Sequence, residues 1–455
     1  MFFISLPFLL FFSVFFLLYW FVFDKNVKGQ NLLILIGSYF FYAWGDPRFL
    51  LLLAGSSLLN YFLGIGMHRT GKDSYKNVLL WVGILQGLGS LCYFKYLNHF
   101  LPLGLSFYTF KTLSYLLDIR KGKIRPTTDW IVFFSYISFF PCLISGPIDR
   151  AGALIPQLET RRTFEYDQAS DGMRQILWGL FKKVVIADNC AAFSGDIFDH
   201  YKTLPASALL YGAFLVTIQV YADFSGYSDM AIGLGRLIGF NITRNFNYPF
   251  FAGNIADFWR RWHITLTSWL TDYVFSPLTI YFRNYGKAGL ILAILITFTA
   301  IGIWHGPNWT FVVFGFLHGC YYIPLILRGT MNKKRGTISK KRKGINMAGT
   351  FLLVMLTFIL FRSASLGQAF DYYRRLISGS IFSSFQIAEK VNTIAMLVCI
   401  VLMFVAEWLQ RDKQHAMQID FIPKFSVRAL FYFSLILIIL TFGPTKNADF
   451  IYFKF

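Results

Sequence analysis

Lys287-Ala-Gly-Leu-Ile-Leu-Ala-Ile-Leu-Ile-Thr-Phe-Thr-Ala-Ile-Gly-Ile-Trp304 decides the fold class. After Lys287 it is apolar throughout, and a helix of roughly 20 such residues crosses the ~30 Å hydrocarbon core of a bilayer. Gly302-Ile-Trp304-His305-Gly306-Pro307-Asn308-Trp309-Thr310 follows, with Gly and Pro to break the helix, and 308–328 is apolar again. The pattern repeats outward. Segments near 3–23, 31–44, 48–67, 77–97, 102–118, 130–147, 172–191, 207–222, 347–362, 391–409 and 428–443 meet or approach spanning length. The short ones at 31–44, 102–118 and 130–147 read as tilted or re-entrant helices, which a bilayer accepts only under protein or beside a water-filled cavity. The expectation is an all-α integral membrane protein, a polytopic helical bundle of about eleven spans plus re-entrant or interfacial helices.

Composition agrees. Of 455 residues, 56% are hydrophobic and only 15% charged, with mean hydropathy +0.51, against roughly 25% charged in soluble domains. The net charge of +20 sits between apolar runs, which fits the positive-inside rule and no nucleic-acid module. Loop Met331–Gly344, with Lys333, Lys334, Arg335, Lys340, Lys341, Arg342 and Lys343, reads as cytoplasmic. His68–Lys76, Arg120–Arg125 and the pair Lys25 and Lys28 alternate with it correctly if the N-terminus is outside; mixed signs between 130 and 280 leave orientation there open. Met1 to Phe23 lacks the basic start and small-residue cleavage site of a signal peptide, so it reads as a retained first span. Cys92, Cys142, Cys190, Cys320 and Cys399 are scattered and form no CxxC, which implies neither a disulfide framework nor a zinc site. No linker or repeat divides the chain, so 1–455 reads as one domain with a motif-rich core about 219–320.

Polar residues inside that core carry the chemistry. Gln219-Val-Tyr-Ala-Asp223-Phe-Ser-Gly-Tyr-Ser-Asp229 places two carboxylates among aromatic and small residues. Each costs roughly 2.5–3.5 kcal/mol at membrane depth on insertion scales; Arg236, Arg244, Arg260 and Arg261 are the candidate partners, and a structural ion pair is the simplest reading. Asn245-Phe-Asn247-Tyr-Pro reads as a turn, since the residue before Pro avoids helix. A helix capped by Asn254 then runs to Tyr273, with Trp259, Trp262, Leu266 and Trp269 on one face and Arg260, His263 and Thr267 on the next. Such a helix suits an interfacial anchor or a cavity wall. His305 lies at the Gly–Pro break, and His318 follows in Gly315-Phe-Leu-His318-Gly319. Imidazole near neutrality takes a proton from a hydroxyl, and Arg or Asn can stabilise a carbonyl oxyanion, so acyl transfer is the chemistry these residues suit. HExxH, a Gly-rich phosphate loop and GxSxG are absent, and no metal is expected.

Asp257-Phe-Trp-Arg-Arg-Trp-His263-Ile-Thr-Leu266 and Trp304-His305-Gly-Pro-Asn308-Trp309-Thr-Phe311 closely resemble the membrane-bound O-acyltransferases. So do Ser38-Tyr-Phe-Phe-Tyr-Ala-Trp-Gly45, Tyr93-Phe-Lys-Tyr-Leu97, Leu101-Pro-Leu-Gly-Leu-Ser-Phe-Tyr-Thr-Phe110, Ser138-Phe-Phe-Pro141 with Ser145-Gly-Pro147, Phe224-Ser-Gly-Tyr-Ser-Asp-Met230 and Phe361-Arg362-Ser363. The match is strongest to the alginate-acetylating branch and covers most of the chain. The resemblance implies a funnel-shaped bundle with a polar tunnel in a bacterial inner membrane, with His305 and His263 as catalytic residues. Asp223, Asn247, Arg260, Arg261, Trp304, Asn308 and His318 are then candidates to line the tunnel or support the site. It also implies acetyl-CoA or an acyl carrier as donor with no bound cofactor, an extracytoplasmic partner acyltransferase, and a polysaccharide acceptor. Thr279-Ile-Tyr-Phe-Arg-Asn-Tyr-Gly286 departs from the Gly-Gly-Asn-Arg-like turn of the family, and the segment from Tyr96 to Leu101 is short. D-alanyl transfer to teichoic acid and O-acetylation of peptidoglycan are the alternatives within the family. From another class, a proton-coupled transporter would use His305 and Asp223 as a relay.

Overall fold

A backbone at membrane depth must satisfy its own N–H and C=O groups, which an apolar chain does by becoming helical. The computed structural model describes residues 1–97, 102–331, 340–385, 390–419 and 422–443, and among these every regular element is helical. Among the described residues, eight helices are long and apolar enough to cross a membrane: Arg48–Arg69, Asp73–Leu97, Ala206–Leu237, Arg283–His305, Trp309–Leu327, Lys341–Arg362, Asn392–Leu409 and Phe425–Phe442. The protein is therefore an all-α, multi-pass membrane protein. Leu6–Val22 is apolar but shorter.

The difference from eleven spans lies in the short segments. Val27–Ala43 has 17 residues and Leu105–Arg120 has 16, and the latter is buried on nearly all sides. The stretch 130–147 is not one helix. It breaks at Phe139, where ψ turns to 103°, and gives Trp130–Ser138 and the four-residue Phe140–Leu143. In the 172–191 region the chain is helical from Tyr166 to Asp199, with a wider turn over Phe181–Ala187. Of the basic loop Met331–Gly344, residues 332–339 lie outside the described residues, as do 98–101 of the short segment after Tyr96.

The described residues form two compact units, Met1–Ile176 with Ser228–Arg244, and Leu177–Tyr227 with Asn245 onward. In the first, buried polar side chains tie helices together. The Arg162 guanidinium, 4% exposed, donates to Gln30 Oε1, Asn31 Oδ1 and the carbonyls of Gln157 and Leu158. Asn31 Nδ2 donates to Leu158 O as well, and Trp20 Nε1 to Leu237 O. Buried Lys111 donates to the Tyr136 carbonyl at 2.7 Å. Each bond satisfies a group that hydrocarbon would leave unpaired. Gly104, at φ 75°, lies so close to the Leu143 carbonyl that a Cβ there would sit 2.4 Å from it.

In the second unit the hairpin of Gly286–His305 and Trp309–Cys320 is the tightest helix pair. A Cβ on Gly302 would lie 2.2 Å from Phe311 O, and one on Gly315 2.2 Å from Phe298 O and 2.9 Å from Gly302 N. Small residues at both crossing points let the two backbones touch, the usual way membrane helices associate without a hydrophobic driving force. Asn308 caps the second helix, its Oδ1 accepting Thr310 N–H at 3.1 Å while its Nδ2 donates to Ala364 O at 2.6 Å. His305 is thus the last residue of one helix, four residues before the next begins.

Candidate active site

The site is assembled within the second unit, from the turn after Asn245 and from the Gly302–Gly315 hairpin. Two backbone bonds hold the turn: Asn247 N–H donates to Arg261 O at 2.9 Å, and Ile264 N–H to Asn245 O at 2.8 Å. Between them the expected single helix from Asn254 to Tyr273 breaks. Asn254 does cap a helix, its Oδ1 accepting Asp257 N–H at 2.8 Å, but that helix covers only Ile255–Trp259. His263 is left-handed, at φ 44° and ψ 52°, and a new helix, Ile264–Leu270, starts after it. A non-glycine residue held at positive φ stores strain of order 1–3 kcal/mol and persists only where the surroundings enforce it.

The break redirects the side chains. Arg260, His263 and Thr267 do not share a polar stripe. His263 is 1% exposed, whereas the Arg260 side chain is 54% exposed. The His263 ring lies against Phe224, with centroids 4.6 Å apart and planes perpendicular, and near Phe246 and Trp304. Nδ1 is 3.0 Å from Asn245 Oδ1. His263 lies outside the eight apolar helices, and burial pushes its pKa down to about 3, so the imidazole is neutral near pH 7.

His305 is buried at 6% exposure, ringed by Trp304, Phe311, Phe314 and Phe361. It ends a 20-residue helix, where the unpaired carbonyls carry partial negative charge and stabilise a cation formed beside them. The half-buried Trp304 ring contacts both His263 and His305, with centroids at 6.3 and 4.8 Å. His318 is fully buried and joins the cluster through Phe314, which contacts both His305 and His318. Trp259 Nε1–H donates to His318 Nδ1 at 3.2 Å. Nδ1 therefore holds a lone pair, and the hydrogen of the neutral ring sits on Nε2. That Nε2–H is buried without a hydrogen-bond partner among the described residues. Three imidazoles buried among aromatic rings can exchange protons with a hydroxyl and donate to a carbonyl oxygen.

The remaining expected residues are placed differently. Asp223 has a lysine as its ion-pair partner, a residue outside the arginines considered from the sequence. Lys183 Nζ reaches it at 2.9 Å and reaches Asp188 at 2.7 Å, all three buried. The π-helical turn over Phe181–Ala187 brings Lys183 to this position, and wide turns of this kind recur at functional sites. Asp229 instead accepts from Gln175 Nε2 at 2.8 Å, and Arg236 pairs with Asp171. Arg261 turns to Asp257 at 3.0 Å, and Arg260 lies 3.9 Å from the same carboxylate. Asn247 is half-buried beside Arg261, whose Nη1 donates to its carbonyl. Asn308 acts at the helix cap already described. Sequence reasoning missed Asn245 and Lys183. Asn245 had a signal, since it stands two residues before Asn247 in the same turn; Lys183 had none, because the pair Lys182–Lys183 within an apolar run reads as interfacial.

Residues 123–368 match the model of MBOAT, the membrane-bound O-acyltransferase family. The chain is 36% identical over 388 residues to the "Probable alginate O-acetylase" of Pseudomonas putida, which covers 80% of this chain and 77% of that protein. It is 33% identical over 404 residues to the "Peptidoglycan O-acetyltransferase" of Helicobacter pylori, covering 78% and 75%. Over 233 residues it is 29% identical to the "Teichoic acid D-alanyltransferase" of Bacillus subtilis, covering 48% and 58%.

Proposed function

Because the chain belongs to the membrane-bound O-acyltransferase family, we propose that it moves an acetyl group across a bacterial inner membrane for O-acetylation of an extracytoplasmic polysaccharide of the alginate type. The observation that carries the reading is His305, buried among aromatic rings at the carbonyl end of the Gly286–His305 helix. In this reading His305 takes the proton from the acceptor hydroxyl as its oxygen attacks the acyl carbonyl. The C–O bond forms, the bond to the donor's leaving group breaks, and the proton passes to the departing thiolate when the donor is a thioester. The buried His318 Nε2–H supplies a donor for the carbonyl oxygen as it gains charge. Acetyl-CoA is the proposed donor. The helices around the histidines would form the walls of a funnel and tunnel, further short helices would bring the spans to about eleven, and a separate extracytoplasmic acyltransferase would complete delivery to the sugar.

Identity to alginate O-acetylases supports the acetyl group and the polysaccharide. A second acceptor, peptidoglycan, is supported by the nearly equal match to the Helicobacter protein. The test is ester analysis of extracellular polysaccharide and peptidoglycan from cells carrying the wild type, His305→Ala, or neither. Acetyl ester appears only with the wild type, and the fraction that carries it names the acceptor. Equal ester in all three, at matched protein level, refutes the reading.

A further inference from the structure

The geometry points to Asn245 as the residue that fixes the tautomer of His263, protonating it at Nδ1 so that Nε2 is a hydrogen-bond acceptor toward substrate. The inference rests on the acyl-transfer reading for its role, but not for its chemistry.

Asn245 Oδ1 meets three groups: Thr265 N at 3.3 Å, Thr265 Oγ1 at 2.9 Å and His263 Nδ1 at 3.0 Å. A backbone N–H can only donate, so the side-chain atom facing Thr265 N must be the amide oxygen. A flipped amide would set two donors against each other, and the asparagine orientation therefore follows from the network. An amide oxygen can only accept. His263 Nδ1, facing that oxygen, must then carry the hydrogen, and the neutral ring leaves its lone pair on Nε2.

Asn245 also holds the backbone at the same point, through Ile264 N–H to its own carbonyl at 2.8 Å. One residue thus anchors the side chain of His263 and the first two N–H groups of the Ile264–Leu270 helix. The left-handed φ of 44° at His263 is enforced at this point and nowhere else in the helix. Strained backbone at a residue whose ring is then locked by a second side chain is the usual construction of a preoriented catalytic group. His318 shows the opposite arrangement: Trp259 donates to its Nδ1 and leaves an N–H at Nε2. The enclosure therefore contains one imidazole fixed as acceptor and one fixed as donor.

Charged groups on the elements around His263 do not compete. Asp223, one residue before Phe224, is bound by Lys183. Arg261 is bound by Asp257, and of the two titratable groups on the Gly286–His305 helix, Lys287 at its start donates to the Leu327 carbonyl at 2.9 Å, which leaves His305 at its end.

Two readouts test the assignment. In the first, the full-length protein in detergent is labelled with 15N-histidine, and the His263 signals are identified by their loss in His263→Gln. At pH 7 the wild type shows protonated Nδ1 and bare Nε2. Asn245→Ala loses that preference. Asn245→Asp keeps the Nδ1–H but titrates at higher pH, because a carboxylate favours the imidazolium. A wild-type His263 protonated at Nε2 overturns the inference whether or not the protein is active. In the second, acetyl transfer is measured against pH. Asn245→Ala loses roughly 100-fold in kcat, within the range for loss of a tautomer-setting partner. Asn245→Asp recovers much of this and moves the acid limb of the profile upward. Equal losses in both variants with the wild-type profile would make Asn245 a scaffold residue only. If the wild type itself transfers no acyl group, the proposed function fails and the spectroscopic result still decides the tautomer.

Discussion

Gly315→Ala adds one methyl group at the point where the two histidine-bearing helices touch. A Cβ at this position would stand 2.2 Å from Phe298 O, 2.9 Å from Gly302 N and 3.0 Å from Gly302 Cα, and ordinary contact begins near 3.4 Å. All three obstacles are backbone, so no side chain can swing away. The helices must separate by roughly 1 Å, an overpacking that costs about 1–3 kcal/mol. His305 rides on one helix and His318 on the other, so the shift enters the site directly. A misplacement of about 1 Å can cost on the order of 100-fold in rate. Expected for purified Gly315→Ala in detergent are a lowered Tm, retained monodispersity, and kcat reduced by one to two orders of magnitude with KM changed much less. Gly344→Ala, where a Cβ meets nothing, is the control. A Gly315→Ala protein with wild-type kcat and Tm would refute the claim that backbone contact between these helices positions the histidines.

Two further outcomes follow from buried charge. Lys183→Met leaves Asp188 and Asp223 facing each other without their ammonium; removing one partner of a buried pair costs roughly 3–5 kcal/mol. Little folded protein should then survive extraction, and Asp188→Asn in the same chain should recover part of it; wild-type yield and Tm for Lys183→Met would show the triad to be dispensable. The second outcome concerns His263, whose pKa of about 3 in the folded protein lies below its ordinary 6.5. Between those values the unfolded chain binds a proton that the native chain does not. The contribution of His263 is therefore full above pH 6.5 and is lost as pH falls toward 3, at about 1.4 kcal/mol per pH unit. Tm measured from pH 7 to 4 should fall less steeply in His263→Gln than in the wild type, and parallel curves would contradict the burial argument.

Much of the architecture was readable because the bilayer leaves few choices. The runs at 48–67, 77–97 and 287–304 had to be helices, and Arg48–Arg69, Asp73–Leu97 and Arg283–His305 are helices. The Asn254 cap was readable too, since capping is a local matter between a side chain and an N–H three residues on. The 255–273 segment was not. Its periodicity is helical, but Asn245 takes the N–H of Ile264 and the ring of His263, and that competition for hydrogen bonds breaks the helix where no Gly or Pro announces it. The 130–147 stretch broke at Phe139, two residues before Pro141, a boundary signal that hydropathy does not score.

The sequence by itself determined that the chain is helical and membrane-embedded, and it singled out His305, His263 and His318 as candidates, because transfer free energies and motif spacing are properties of residues one at a time or a few apart. It also carried the family, through motifs read jointly along the chain. Only the tertiary structure decided the partners. Asp223 joins Lys183, forty residues away in sequence; His263 joins Asn245, eighteen residues back. At membrane depth a polar group must find its partner inside the protein, and which partner it finds depends on how helices cross and where they break.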